Sequence, residues 1–430
     1  MPVALSEGFD VGGLYALGML ALAIALGVGI GALSHQQERA FSAAVVYVLL
    51  GALGAVALAV LDVAPIDPIR DHDLLERLTE LALVVAVFAA GLTVERHVRR
   101  RSVVSIAVLL LVVMPLTMAA IAAFGYYAMG LSLGAAVLLG TVLAPTDPVL
   151  AGDVGLGPPG SGPQGEPRLS LHTEAAVNDG LASPFVLIGI FIATQGGTSW
   201  IGEWLWADVL YAIGVAAVLG LGMGWGAAWL ITRGRERGLI SAELDALAAL
   251  VLVLVVYGCA ELAGSYGLLA LFAAGFAFRR YEFEHELHHG FHRGAETAGT
   301  LLELIVLLLL GSMLTREGLG EPGLSGWLLA PLLILVIRPV LVMATSGPGF
   351  ASLRERLFLA IFGVRGVAAL FYAAIVAGSG ALSPAETSVV VWTTLVCVVL
   401  SIVAHGIAAT PLTRSLLERP GQAPRSSLPE

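Results

Sequence analysis

The sequence predicts an all-α polytopic membrane protein, and three observations carry that prediction. The chain has 430 residues, of which 58% are hydrophobic and 13% charged. Soluble proteins average about 45–50% apolar and about 25% charged. Apolar runs of about 20 residues, the length a helix needs to cross a bilayer, recur along the whole chain. The arginines between those runs alternate in density from one loop to the next.

Hydropathy places 13 spans at 12–33, 41–61, 78–94, 102–124, 131–154, 172–194, 207–232, 242–263, 265–281, 299–314, 325–345, 355–378 and 386–409. The first run, Gly12–Leu33, is too long for a signal-peptide core and lacks a basic leader, so it reads as a span. The eighth and ninth runs are almost contiguous, which makes their division the least marked. The longest hydrophilic stretches are 62–77, 155–171, 279–298 and 410–430, too short for a soluble domain. Residues 155–167, "GLGPPGSGPQGEP", form a Gly/Pro-rich flexible loop. The tail, 411–430, is short and Pro-containing, with a disordered composition.

Charge fixes the expected orientation. There is no Lys, so all 22 basic residues are Arg. Loops after odd-numbered spans, with the C-terminal tail, hold 17 of them, and loops after even-numbered spans hold only Arg70, Arg77 and Arg316. The positive-inside rule then puts the C-terminus in the cytoplasm and the N-terminus outside a cell (inner or plasma) membrane. One span more or fewer would scramble the alternation.

Several functions are argued against. A net charge of −10 disfavours nucleic acid as a partner. The absence of a nucleotide-binding motif disfavours ATP-driven pumping. Cys259 and Cys397 lie in apolar runs and suggest neither a disulfide framework nor a metal cluster. No Ser/His or metal-chelating pair within the spans suggests an intramembrane hydrolase. A channel and a flux-free sensor remain as rivals to a carrier.

Two spans carry signs of a break. The fifth, "LGTVLAPTDPVLAGDVG" (139–155), sets Pro145 and Pro148 around Thr146 and Asp147. Each proline removes a backbone donor, and the residue before it avoids helical geometry. Freed carbonyls and half-helix ends would meet there, and Asp147 can neutralise a positive helix end. The twelfth, "AIFGVRGVAALFYAAI" (360–375), brackets Arg365 with Gly363 and Gly366. These spans are seven apart, as expected if spans 1–6 and 8–13 are inverted repeats. Paired broken helices in such repeats point to a transport site near the midplane.

The sixth span contains "TEAAVNDG" (173–180). At about 100° per residue, Glu174 and Asn178 share one helical face and Asp179 lies about 100° further round. Intramembrane carboxylates are costly and are functional by default. A carboxylate that binds either a proton or a monovalent cation, never both, is sufficient for exchange. One left near its reference value of about 4 would rarely carry a proton at neutral pH.

"TEAAVNDG" resembles the Glu…Asn-Asp motif of the NhaP/NHE (sodium/proton exchanger) branch of the cation:proton antiporters. "APTDPV" (144–149) is similar to that family's Thr-Asp-Pro break and "VIRPV" (336–340) to its intramembrane Arg-Pro. "FGVRGVAAL" (362–370) resembles its glycine-flanked Arg, and "AHGIAATPL" (404–412) its last span. With the 13-span count, the resemblance covers nearly the whole chain. It implies an NhaA/NhaP-like fold of two inverted repeats with helices 5 and 12 broken.

The resemblance also implies roles. Asp179 would carry cation and proton alternately. Asn178 replaces a second Asp of electrogenic relatives, which implies one-for-one, electroneutral exchange. Glu174 would pair with Arg338 as a structural bridge. Thr146 would offer a carbonyl to the ion, Asp147 would stabilise the crossed helices, and Arg365 would balance dipole ends. The implied activity is exchange of Na⁺ or Li⁺, alternatively K⁺, for H⁺, without a bound cofactor or nucleotide. The implied assembly is a homodimer in the lipid bilayer. Scaffold spans would occupy 1–101 and 241–322, transport-core spans 102–194 and 323–410, and a linker span 195–240. Two positions depart from many members. Ala175 stands where they have Ser, and Ala89 stands near an expected acidic residue, so two oxygen donors are missing and the choice of Na⁺ or K⁺ stays open.

Weaker features remain. "RRYEFEHELHHGFHR" (279–293) holds His285, His288, His289 and His292, with Phe283, Leu287 and Phe291 on a helical stripe. It reads as a surface amphipathic helix, with pH sensing or metal binding as sharper alternatives. Glu261 and Glu303 would line an ion funnel or face a subunit partner. His405 reads as a packing residue.

Overall fold

The computed structural model describes residues 23–24, 27–28, 42–60, 63–94, 100–147, 166–282, 289–345 and 352–417. Most of the first predicted span and the tail after Leu417 fall outside them. Among the described residues the chain is helical with no β-strand. The helices are α1 (Ala43–Val60), α2 (His72–Thr93), α3 (Arg100–Ala128), α4 (Leu133–Leu143), α5 (Glu166–Thr194), α6 (Ile201–Glu236) and α7 (Asp245–Leu262). They continue as α8 (Gly267–Glu282), α9 (His289–Ser312), α10 (Gly323–Thr345), α11 (Leu353–Ile361), α12 (Val367–Ser379) and α13 (Pro384–Leu417).

Eight of these are long and apolar enough to cross a membrane, and α4 and α12 are shorter apolar helices. Each predicted span from the second onward contains a helix, and the doubtful eighth and ninth are separate, joined at Gly264 in a left-handed turn. Helix ends differ from the hydropathy limits. α2 starts at His72 rather than 78, and α9 at His289 rather than 299. Hydropathy measures the apolar thickness of the bilayer, and polar first turns continue the same helix beyond it. The hydrophilic stretch predicted for 155–171 already turns helical at Glu166, with Pro167 in the first turn, where its missing N–H costs nothing.

Two sets of helices build the bundle. The largest apolar cluster draws on α1, α2 and α6 to α9 and meets α12 and α13. A second joins α3, α4, α5 and α10 to α12 and α13. A third lies between α3, α5, α10 and α11. In a bilayer, helices gain little from apolar burial alone, so close backbone approach matters more. α2 and α8 meet through reciprocal glycines. A Cβ on Gly91 would lie 2.5 Å from the Phe272 carbonyl oxygen, and one on Gly275 2.4 Å from that of Phe88. α1 and α9 repeat the arrangement with Gly51 against Leu308 and Gly311 against Val48.

The helices of the second set show a seven-span correspondence beyond the breaks. α3 contains a π-turn at Leu109–Val113, immediately before Met114-Pro115. α10, seven spans later, contains one at Leu333–Ile337, immediately before Arg338-Pro339. α5 and α13, again seven apart, each carry an internal proline, Pro184 and Pro411. A proline lacks the N–H for its helical bond, and a widened turn lets neighbouring amides reach other carbonyls. Arg338 N accordingly donates five residues back to Leu333 O, and Met114 N to Leu109 O.

Substituting Gly275→Leu should lower stability by about 1–3 kcal/mol through overpacking. Gly214→Leu, where a Cβ meets nothing within 4 Å, is the control. Thermal unfolding in detergent measures both, and equal midpoints would remove the α2–α8 contact as a constraint.

Candidate ion-binding site

The site forms where two chain segments leave helical geometry. α4 ends at Leu143, and Ala144–Asp147 is non-helical. Residues 148–150, which complete the Pro145/Pro148 motif, lie outside the described residues. The second interruption is described in full: α11 stops at Ile361, α12 begins at Val367, and 362–366 between them is not helical.

The segments satisfy each other's backbone. Asp147 N donates to Val364 O at 2.9 Å, and Val367 N donates to Asp147 Oδ2 at 2.8 Å. Asp147 thus supplies a carboxylate to the first turn of α12, where the helix dipole favours negative charge. Gly366 makes this possible, because a Cβ there would lie 2.1 Å from Asp147 Oδ2.

Arg365 serves the opposite helix ends. It is 1% exposed. Its Nε donates to Leu143 O, the last carbonyl of α4, at 2.6 Å, and its Nη1 donates to Gly363 O at 2.7 Å. A cation thus sits on the carbonyl left open at the end of α4 and on one in the non-helical segment after α11. Its backbone N donates to Ser401 Oγ of α13 at 2.8 Å. Four residues on, the His405 ring lies 2.9 Å from Ile361 O, the last carbonyl of α11, and 2.8 Å from Ser401 O. His405 therefore does more than pack. Neither Ser401 nor this reach was legible in the sequence; a polar i, i+4 pair in an apolar span was the available signal.

Arg338 and Glu174 form a two-point ion pair, Nη1–Oε1 3.0 Å and Nη2–Oε2 2.8 Å, at 3% and 1% exposure. The π-turn of α10 ends on Arg338, whose chain lies flush against Gly363; a Cβ there would be 2.1 Å from its Cδ and Nε. Planar matching of guanidinium and carboxylate makes this the stronger kind of pair.

Asn178 and Thr146 bond reciprocally. Thr146 N donates to Asn178 Oδ1 at 3.3 Å, and Asn178 Nδ2 donates to Thr146 Oγ1 at 2.8 Å. The amide and hydroxyl of Thr146, rather than its carbonyl, make these contacts. Asp179 is fully buried, and neither carboxylate oxygen has a hydrogen-bond partner among the described residues. Its backbone carbonyl accepts from the Tyr372 hydroxyl of α12, a contact the sequence reading missed.

Other expected positions lie elsewhere. Ala175 is fully buried among Leu109, Leu171, Val342, Phe358 and Phe362, and Ala89 belongs to the largest cluster. Glu261 Oε1 accepts from Gly267 N at 3.1 Å, closing the turn between α7 and α8. Glu303 is buried in α9. His285 and His288 fall outside the described residues, and His289 opens α9. His292 is buried, with its Nδ1 3.5 Å from Glu296.

A helix that stops at Leu143 and another interrupted between Ile361 and Val367 meet at buried carboxylates, inside a bundle of membrane-length helices, and define a multi-pass membrane protein with a polar centre. A family model described as "Sodium/hydrogen exchanger, transmembrane" matches residues 15–415; the chain belongs to that family. It is similar to Na(+)/H(+) antiporter 2 of Zygosaccharomyces rouxii, at 29% identity over 307 residues, covering 69% of this chain and 38% of the relative. The Na(+)/H(+) antiporter of Saccharomyces cerevisiae is 26% identical over 313 residues, covering 70% of this chain and 32% of that one. The matched region thus spans well under half the length of these relatives. The fold is similar to that of the sodium proton antiporter MjNhaP1 from Methanocaldococcus jannaschii, with a TM-score of 0.75 at 19% identity, covering 96% of this chain and 100% of that chain.

Glu174→Gln should destabilise the fold by about 3–5 kcal/mol, because it leaves a buried guanidinium uncompensated. Replacing both partners, Glu174→Leu with Arg338→Met, should recover most of that loss. Chemical or thermal unfolding of the single and double variants checks this; a double variant less stable than the single one would contradict it.

Proposed function

We propose that the chain is a secondary antiporter that exchanges Na⁺, with Li⁺ as a second substrate, for H⁺, with Asp179 as its single carrier carboxylate. The observation that supports this reading is Asp179 itself: fully buried, with two carboxylate oxygens that accept no hydrogen bond among the described residues. A buried carboxylate gains stability from a proton or a cation, and a group that neutralises itself with either one can exchange them. The neighbouring polar groups are otherwise engaged. Asp147 serves the first turn of α12, Glu174 serves Arg338, and Asn178 serves Thr146.

Asn178 adds no charge, which supports one-for-one, electroneutral exchange. The packing of α3–α5 with α10–α13 supports a transport core, distinct from a scaffold of α1, α2 and α7–α9 and linked through α6. In this reading the core moves by alternating access, the scaffold pairs in a homodimer, and the C-terminus is cytoplasmic. Thr146, Asp147, Asn178 and Arg365 shape the ion site. K⁺/H⁺ exchange is the second reading. Ala175 lies in an apolar cluster, so the site has one oxygen donor fewer to hold a small cation tightly.

The test uses acid-loaded vesicles and a pH-sensitive dye. Addition of Na⁺ or Li⁺ should cause rapid proton efflux, and Asp179→Asn should lose it. Clamping the membrane potential at different values should leave the rate unchanged. Equal flux from Asp179→Asn removes the carrier role, and a steep voltage dependence removes electroneutrality.

A further inference from the structure

The half-helix α12 bonds to both aspartates of the site, to the side chain of one and to the backbone of the other. At its first residue, Val367 N donates to the side chain of Asp147. Five residues later, a rise of about 7.5 Å along the helix, the Tyr372 hydroxyl donates to the backbone carbonyl of Asp179. Tyr372 is 1% exposed, and the same hydroxyl lies 3.0 Å from Ser183 Oγ. A carbonyl can only accept, so the single proton of Tyr372 goes to Asp179 O, and Ser183 must donate to the Tyr372 oxygen.

This contact falls on the weakest turn of α5. Pro184 has no N–H, so the Gly180 carbonyl four residues earlier lacks its helical donor. The turn that carries Asp179 therefore has one internal bond fewer than its neighbours. Gly180 also presses on the scaffold, where a Cβ would lie 2.9 Å from Leu269 N of α8. Tyr372, with Ser183 behind it, adds an external bond to the Asp179 carbonyl, next to the one that lacks its donor.

We infer that Tyr372 is a positioning residue for cation binding: with Val367 it makes α12 a spacer that sets the distance between the Asp147 and Asp179 carboxylates. The inference rests on the carrier role proposed for Asp179. Tyr372 touches neither the carboxylate nor the ion, and acts through the backbone of the turn that presents Asp179.

Tyr372→Phe keeps the ring and removes only the hydroxyl. Loss of one such bond should raise the apparent KM for Na⁺ about threefold to tenfold, the range set by the net value of a hydrogen bond. The maximal rate should fall less than the affinity, and the ratio of Li⁺ to Na⁺ affinity should change, because the two ions differ in the carboxylate spacing they tolerate. Ser183→Ala should move KM in the same direction by a smaller factor. An unchanged KM and ion ratio in Tyr372→Phe would overturn the inference. So would a loss of rate and thermal stability with KM unmoved, which marks a purely structural contact. Asp179→Asn is run alongside. Retained exchange in that variant removes the carrier reading itself, whereas an inactive Asp179→Asn with a wild-type Tyr372→Phe removes only the spacer.

Discussion

A carbonyl or amide without a partner costs several kcal/mol in hydrocarbon, so a helix can stop inside a membrane only where something replaces its lost bonds. That constraint governs the centre of this molecule. Arg365 is the main replacement, because its guanidinium takes carbonyls orphaned at α4 and after α11. Asp147 is the counterpart, serving the amide end of α12. Between them they link the two open chain segments into one crossing, beside which the Asp179 carboxylate has no hydrogen-bond partner among the described residues.

Several irregularities of the second helix set recur seven spans apart. π-turns precede Pro115 and Pro339, helices stop at Leu143 and Ile361, and Pro184 and Pro411 lie inside α5 and α13. The two π-turns serve different ends. In α10 the π-turn ends on a buried Arg and contributes to an ion pair; in α3 it ends on Met114, which packs in an apolar cluster.

Much of this was legible beforehand, for physical reasons that differ by feature. The eight membrane-length helices announced themselves because a bilayer demands about 20 apolar residues. Asp147, Glu174, Asp179, Arg338 and Arg365 stood out because charge in hydrocarbon is rare. Tyr372 and Ser401 did not, and His405 was read only as packing. Tyr and Ser are unremarkable in a membrane helix, and their importance depends on which backbone atom they reach across the fold. The π-turns were hidden for a similar reason, since a proline in an apolar span does not say how the turn before it adjusts. The role of Ala175 depended on which side of α5 faces the apolar cluster, which no single-chain pattern specifies.

The reach of α13 into the crossing has a consequence for how the molecule is made. A chain is synthesised from its N-terminus at a modest rate, so α4, α5, α11 and α12 exist before Ser401 and His405. Until those two residues arrive, Arg365 N lacks its acceptor and the Ile361 carbonyl lacks the His405 ring. The bonds of Asp147 and of the Arg365 side chain need only the earlier helices, and insertion of α13 adds the remaining two.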